Sequence, residues 1–194
     1  MKTNSVWAWV LLATVASTAH AATGNLVVFD DADENGFDHA AAICSNGYYY
    51  EETSVVHSGT AAMGISKQFD NNGAGWGAPT NYSASSDYDG VAFWVNSGNT
   101  QSTLTSLAVY DMDGNPHFAH LEDIYGASLP AGTWIHFDIP FGSPYFAAAY
   151  STPPATVQAF CVITHSPSGS PSDVLYLDDV ALTGADIFKD GFGN

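Results

Sequence analysis

Glycine, serine, asparagine, aspartate and proline interrupt this chain about every 8 to 12 residues, and no long window between them sustains a 3.6-residue apolar period. A chain punctuated so often has no room for long helices, so its core has to be built from short strands. The sequence predicts strands over residues 25–30, 48–52, 61–69, 90–95, 106–111, 117–123, 133–140, 157–164 and 174–182. Several of them alternate strictly. Val91, Phe93 and Val95 face one way and Ala92 and Trp94 the other, while Ile135, Phe137 and Ile139 oppose Trp134, His136 and Asp138. About nine antiparallel strands, each with one apolar face, predict an all-β jelly-roll β-sandwich. The predicted loops are 31–47, 68–89, 142–156 and 166–173, with one short helical turn at Ala147, Ala148 and Ala149.

The organisation reads as three segments. Lys2, an apolar run over residues 6–16 and the small residues Ala19 and Ala21 make residues 1–21 a secretory signal peptide cleaved after Ala21. Residues 22–184 form one sandwich domain, and 185–194 a flexible polar tail. No stretch approaches the ~20 apolar residues of a membrane span. Beyond the leader, Lys67 and Lys189 are the only basic side chains against 20 acids. That balance disfavours nucleic-acid and anionic-lipid partners, and it argues against a lyase that must neutralise a uronate. Neutral glycans and cations are compatible. Cys44 and Cys161 in an export context predict one disulfide, with two unlinked buried thiols as the alternative.

The segment Val174-Leu175-Tyr176-Leu177-Asp178-Asp179-Val180-Ala181-Leu182 sets two carboxylates inside an apolar strand. If Val180 and Leu182 point inward, period-two alternation turns Asp178 inward with them. A buried aspartate needs a counter-charge. With no arginine in the chain and almost no lysine, a calcium ion is the economical choice. Asp30 follows Leu26 and Val28 in the same phase, so two inward carboxylates from the terminal strands would meet. Asp31 and Asp179 replace them if the phase is off by one.

Val55-Val56-His57-Ser58-Gly59-Thr60-Ala61-Ala62, Trp134 within Ala131-Gly132-Thr133-Trp134, and Tyr176-Leu177-Asp178-Asp179-Val180 together resemble the fingerprint of galactose-binding-like jelly-roll domains. That group includes many bacterial carbohydrate-binding modules, and the resemblance spans residues 25–184. It implies a structural calcium held by Asp30, by the backbone around Gly59 and Thr60, and by Asp178. The stretch from Ile187 to Phe192 resembles a short tail of some secreted proteins of Gram-negative bacteria.

Exposed aromatics beside short polar side chains make glycan sites, because sugar C–H patches stack on rings while amides and carboxylates bind the hydroxyls. Trp76, flanked by Gly75 and Gly77, is the foremost candidate; Tyr82, Asn72, Asn81 and Asp87 are its neighbours in sequence, and Asn71 and Gln68 are further hydroxyl partners. The alternative for Trp76 is a plug folded over the sandwich edge. Trp94 and Trp134 are expected to pack on a sheet face. Asp111, Asp113, Asn115 and Glu122 mimic an EF-hand spacing, but Pro116 stands where its glycine belongs, so a hairpin turn is expected. No glycosidase, nucleophile-elbow or zinc-protease motif is present. The sequence therefore points to a secreted, non-catalytic polysaccharide-binding sandwich with a structural Ca2+. The alternatives are an extracellular adhesive calcium-binding protein with a protein partner and a small glycan-active hydrolase.

Overall fold

The computed structural model describes residues 25–39, 49–83, 87–146 and 153–184. They form two antiparallel sheets packed face to face. The larger holds β1 (Leu26–Asp30), β2 (Ala32–Asp33), β3 (Tyr49–Glu52), β4 (Ala62–Ser66), β6 (Tyr88–Asn96), β9 (Trp134–Pro140) and β11 (Val174–Gly184); the smaller holds β5 (Asn72–Ser83), β7 (Thr105–Tyr110), β8 (Pro116–His120) and β10 (Thr156–Thr164) in the order β5-β10-β7-β8. One short helix, α1 (Leu121–Tyr125), ends at Gly126 with φ 83°, and Pro144–Phe146 makes a 3-10 turn. No helix among the described residues is long and apolar enough to cross a membrane.

β11 organises the larger sheet. One of its sides pairs with β6, which carries β9 as the outer strand. Its other side is shared: Val174 to Leu177 pair with β4, and Val180 to Leu182 with β1. Asp178 and Asp179 fall at the junction. The two inner faces interlock through Val28, Ile65, Phe93, Val95, Ile139, Leu175 and Leu177 on one side and Trp76, Leu107, Val109, Phe160 and Val162 on the other, all at most 1 % exposed. The indole of Trp76 lies 5.8 Å from Phe29 and 5.6 Å from Phe160, ring centre to ring centre.

The alternating strands fall where the sequence predicts them, within a few residues. The clearest departure is β5, a twelve-residue strand within the stretch expected to be the loop 68–89. Its glycines have a packing reason. Gly73, Gly75 and Gly77 oppose Ile163, Cys161 and Ala159 of β10, leaving Ala74 and Trp76 to the core. A Cβ on Gly73 would come within 2.8 Å of the Val162 carbonyl oxygen. β5 is an edge strand, and Pro79 sits where its register with β10 slips, a position that tolerates proline. Residues 121–123, expected to extend a strand, open α1 instead. The Asp111–Asn115 stretch is the expected hairpin turn, with the Asp113 and Asn115 amides donating to Asp111 Oδ1. Cys161 is fully buried in β10, whereas Cys44, the signal segment and the tail lie outside the described residues.

Lys67, just after β4, is fully buried. Its Nζ donates to Ser97 O (3.1 Å), Thr100 O (3.0 Å) and Thr100 Oγ1 (2.8 Å), and lies 3.4 Å from Asp173 Oδ2. Burial pulls the ammonium below its usual range, while Asp173 and then Glu122 oppose that fall. A lysine therefore provides a buried cation.

Candidate functional site

At the junction on β11 neither β4 nor β1 supplies a ladder partner, and side chains take over. Asp178 Oδ2 accepts the amide protons of His57 (2.8 Å) and Ser58 (3.2 Å), and Oδ1 accepts that of Asp179 (2.9 Å). Asp179, at φ 49°, receives the Ser58 hydroxyl on Oδ1 (2.6 Å) and meets His57 Nδ1 through Oδ2 (2.7 Å). Across the seam Asp31, at φ 64°, accepts the amides of Thr60 and Ala61, which hold its carboxyl below the usual range. Gly59 is required by both its φ of 61° and the approach of Asp31, whose carboxylate lies 2.3 Å from where a Cβ would stand. Three aspartates thus fasten the turn that precedes β4 to the last strand and to the end of the first.

This geometry corrects the phase assumed from sequence. A bulge between Val27 and Phe29 turns both Val28 and Phe29 inward and leaves Asp30 exposed, so Asp31 reaches the turn. A second bulge after Asp178 breaks the alternation with Val180. Asp178 is paired with Trp94, whose neighbours Phe93 and Val95 face the core, so Asp178 lies on the outer face beneath the His57-Ser58 turn. Of the set Asp30, Gly59, Thr60 and Asp178, Asp30 is turned out to solvent, while Asp178 stays at the turn that carries Gly59 and Thr60. Calcium asks for six to eight oxygens. Here Asp31, rather than the solvent-facing Asp30, would have to supply carboxylate oxygens beside Asp178.

Burial pushes the Asp178 carboxyl above its usual range and the nearby Asp179 charge adds to the rise, against the His57, Ser58 and Asp179 amides. Between the unfolded value near 4 and the raised folded value, the native state keeps a proton that the unfolded chain has released. This group's contribution therefore falls as pH rises through that window. Asp178→Asn removes the titration but turns an amide NH2 toward one of the three backbone donors, a loss of about 1–3 kcal/mol. Chemical denaturation at pH 4 should show that full deficit, and the deficit should shrink toward pH 7. A deficit independent of pH would contradict the titration of Asp178.

Above this seam an aromatic group covers the outer face of the larger sheet. The His57 imidazole stacks on Trp94 at 3.8 Å and 17°, and meets Trp134 at 5.6 Å and 68°. His136 is tilted against Trp94 at 5.0 Å. Register explains the grouping: Trp94 faces His136 and Asn96 faces Trp134 across β6 and β9, which puts these side chains and Asp138 on one surface. Both indoles are half-buried, and His136 and Asp138 are exposed. The alternation of Trp94, Trp134, His136 and Asp138 was readable within each strand. Their union with His57 depends on the pairing of β6 with β11 and β9, which no local pattern encodes.

The glycan residues expected from sequence do not assemble around an exposed ring. Trp76 is fully buried in the core, with Nε1 donating to Asp33 Oδ1 at 2.9 Å, which corrects its reading as a stacking platform in favour of the plug. Asn72 is buried too, its amide donating to Ser66 O. Tyr82 is half-buried between Phe37 and Tyr88, burial raising its phenol above the usual range; Asp87, next to that pair, is half-exposed. The side chain of Asn81 lies outside the described set. The Ser58 hydroxyl donates to Asp179 rather than to His57, so His57 and Ser58 do not form a nucleophile and base pair.

No family model matches the chain, and no curated protein matches it. Among solved structures, the family 30 carbohydrate-binding module of a cellulosomal cellulase of Clostridium thermocellum is similar at 11 % identity, over 84 % of this chain and 98 % of that one, with a TM-score of 0.54. A family 11 carbohydrate-binding module of the same organism, in complex with a β-1,3-1,4-mixed-linked tetrasaccharide, is similar at 14 % identity over the same shares, with a TM-score of 0.49. The C-terminal family 22 module of its Xyn10B matches at 10 % identity, over 71 % and 82 %, with a TM-score of 0.45. At such identity the likeness to the family 30 module shows the fold alone: this chain is a jelly-roll β-sandwich.

Proposed function

We propose that the protein is a secreted, non-catalytic polysaccharide-binding sandwich, braced by a Cys44–Cys161 bridge, whose ligand lies on the outer face of β6 and β9. The single observation that carries this reading is the group of Trp94, Trp134, His57 and His136 on one partly exposed surface. His57 covers one face of Trp94 and makes it the support. Trp134, on the outer strand β9, stacks on the sugar ring, while His136 and Asp138 take its hydroxyls. The fold shared with the family 30 module supports the reading, as does the scarcity of cations, which favours a neutral glycan.

Retention of the whole secreted protein on a panel of soluble and insoluble neutral polysaccharides tests it. Trp134→Ala is expected to weaken binding at least 10-fold and Trp94→Ala similarly, with thermal stability little changed for Trp134→Ala. Absence of wild-type retention on every glycan would overturn the reading and favour an adhesive protein with a protein partner. Release of reducing ends would establish catalysis instead. Mass measurement before and after reduction tests the bridge.

A further inference from the structure

We propose that Asp33, Asp38 and His39 form a binding site for a divalent transition-metal ion of the zinc class, independent of the glycan surface. One donor atom from each lies within 4.8 Å of the other two. Asp33 and His39 line a cavity of about 350 Å³ whose wall also includes Asp31 and Glu51. The cavity thus gathers four titratable side chains at one place. Lys67, the only lysine among the described residues, is sunk in its own oxygen cage elsewhere. Carboxylates gathered without a lysine or arginine raise the local concentration of small cations.

The ligands are held by elements outside the cluster. Asp33 ends β2, paired with Phe29 of β1, and its Oδ1 is aimed by the fully buried Trp76 indole. Asp38 is clamped to β5 by reciprocal backbone bonds with Gly77, 3.3 Å from its amide and 3.1 Å to its carbonyl. The His39 amide donates to Asp33 Oδ2 at 3.2 Å, and its Nδ1 lies directly against the same oxygen. An outer partner that orients a ligating carboxylate is what metal sites use to fix their first ligands. Trp76 has that place here.

The donor set selects the metal. One imidazole nitrogen with two carboxylates matches the N/O preference of zinc-class ions. It is too poor in oxygen for calcium, which takes six to eight. Three protein ligands leave a fourth position for water or an outside group. A bound ion would tie residues 38–39 to the β1–β2 hairpin and alter the surroundings of Trp76 through Asp33.

The test titrates the whole secreted protein, stripped with chelator, with ZnCl2 and in parallel with CaCl2, following heat, tryptophan emission and Tm. Expected are one zinc per chain, a rise in Tm and a change in emission, with calcium at least 10-fold weaker. His39→Ala is expected to weaken zinc at least 10-fold and to abolish the emission change. Asp38→Asn, at an exposed position, carries the same expectation if His39→Ala does not fold. Zinc binding undiminished in these variants, no stoichiometric zinc binding by the wild type, or a preference for calcium would each overturn the proposal. None of these readouts depends on glycan binding.

Discussion

Lys67→Met is expected to lower the free energy of unfolding by about 3–5 kcal/mol, the cost of leaving one member of a buried ion pair without its partner. Lys67 is fully buried and Asp173 nearly so; removing the ammonium strips Asp173 Oδ2 of its cation and Ser97 O and Thr100 O of a donor. Asp173 Oδ1 and Glu122 Oε1 already have no hydrogen-bond partner among the described residues, so the region holds no spare donor. Asp173 would keep only the Thr100 hydroxyl on Oδ2. The measurement is urea denaturation of the single variants Lys67→Met and Asp173→Asn and of the double variant. The double should lose clearly less than the sum of the singles, because the uncompensated charge is gone. Strict additivity, or a single-variant loss below about 1 kcal/mol, would show that the pair is not coupled as the geometry requires.

Trp76→Ala is expected to cost about 3–5 kcal/mol as well, through a cavity between the sheets. The indole touches Phe29 and Phe160, and its N–H serves Asp33, so the loss combines packing with a polar partner left behind. Calorimetric Tm and denaturant midpoint should both fall. Glycan affinity measured well below the lowered Tm should stay within about twofold of wild type. A variant of near-normal stability that no longer binds sugar would return Trp76 to the ligand surface and refute its place in the core.

These two residues mark the limits of local reading. The strands of β6, β9, β10 and β11 were legible because one-sided burial imposes a period of two on nearby residues. β5 was not, because its glycines carry no side chain to alternate and Pro79 signals a turn; only the approach of β10 explains them. The placement of Asp30 beside Asp178 was lost in the same way. It assumed unbroken alternation through Leu26–Asp30 and Asp178–Leu182, yet each segment contains a bulge that reverses the phase.

By itself the sequence determined the all-β class, the position of most strands, the hairpin at Asp111–Asn115 and the anomaly of the Asp178-Asp179 pair within a strand. Each rests on residues within a few positions of one another, where backbone sterics and alternating burial act. Only the tertiary structure decided that Trp76 is core, that His57 joins Trp94 and Trp134 on one surface, that Asp31 rather than Asp30 meets the turn, and that Lys67 is the buried cation. Those outcomes depend on strand order, register and bulges, and so on contacts between segments as far apart as His57 and Asp178, whose pairing energy no local pattern contains.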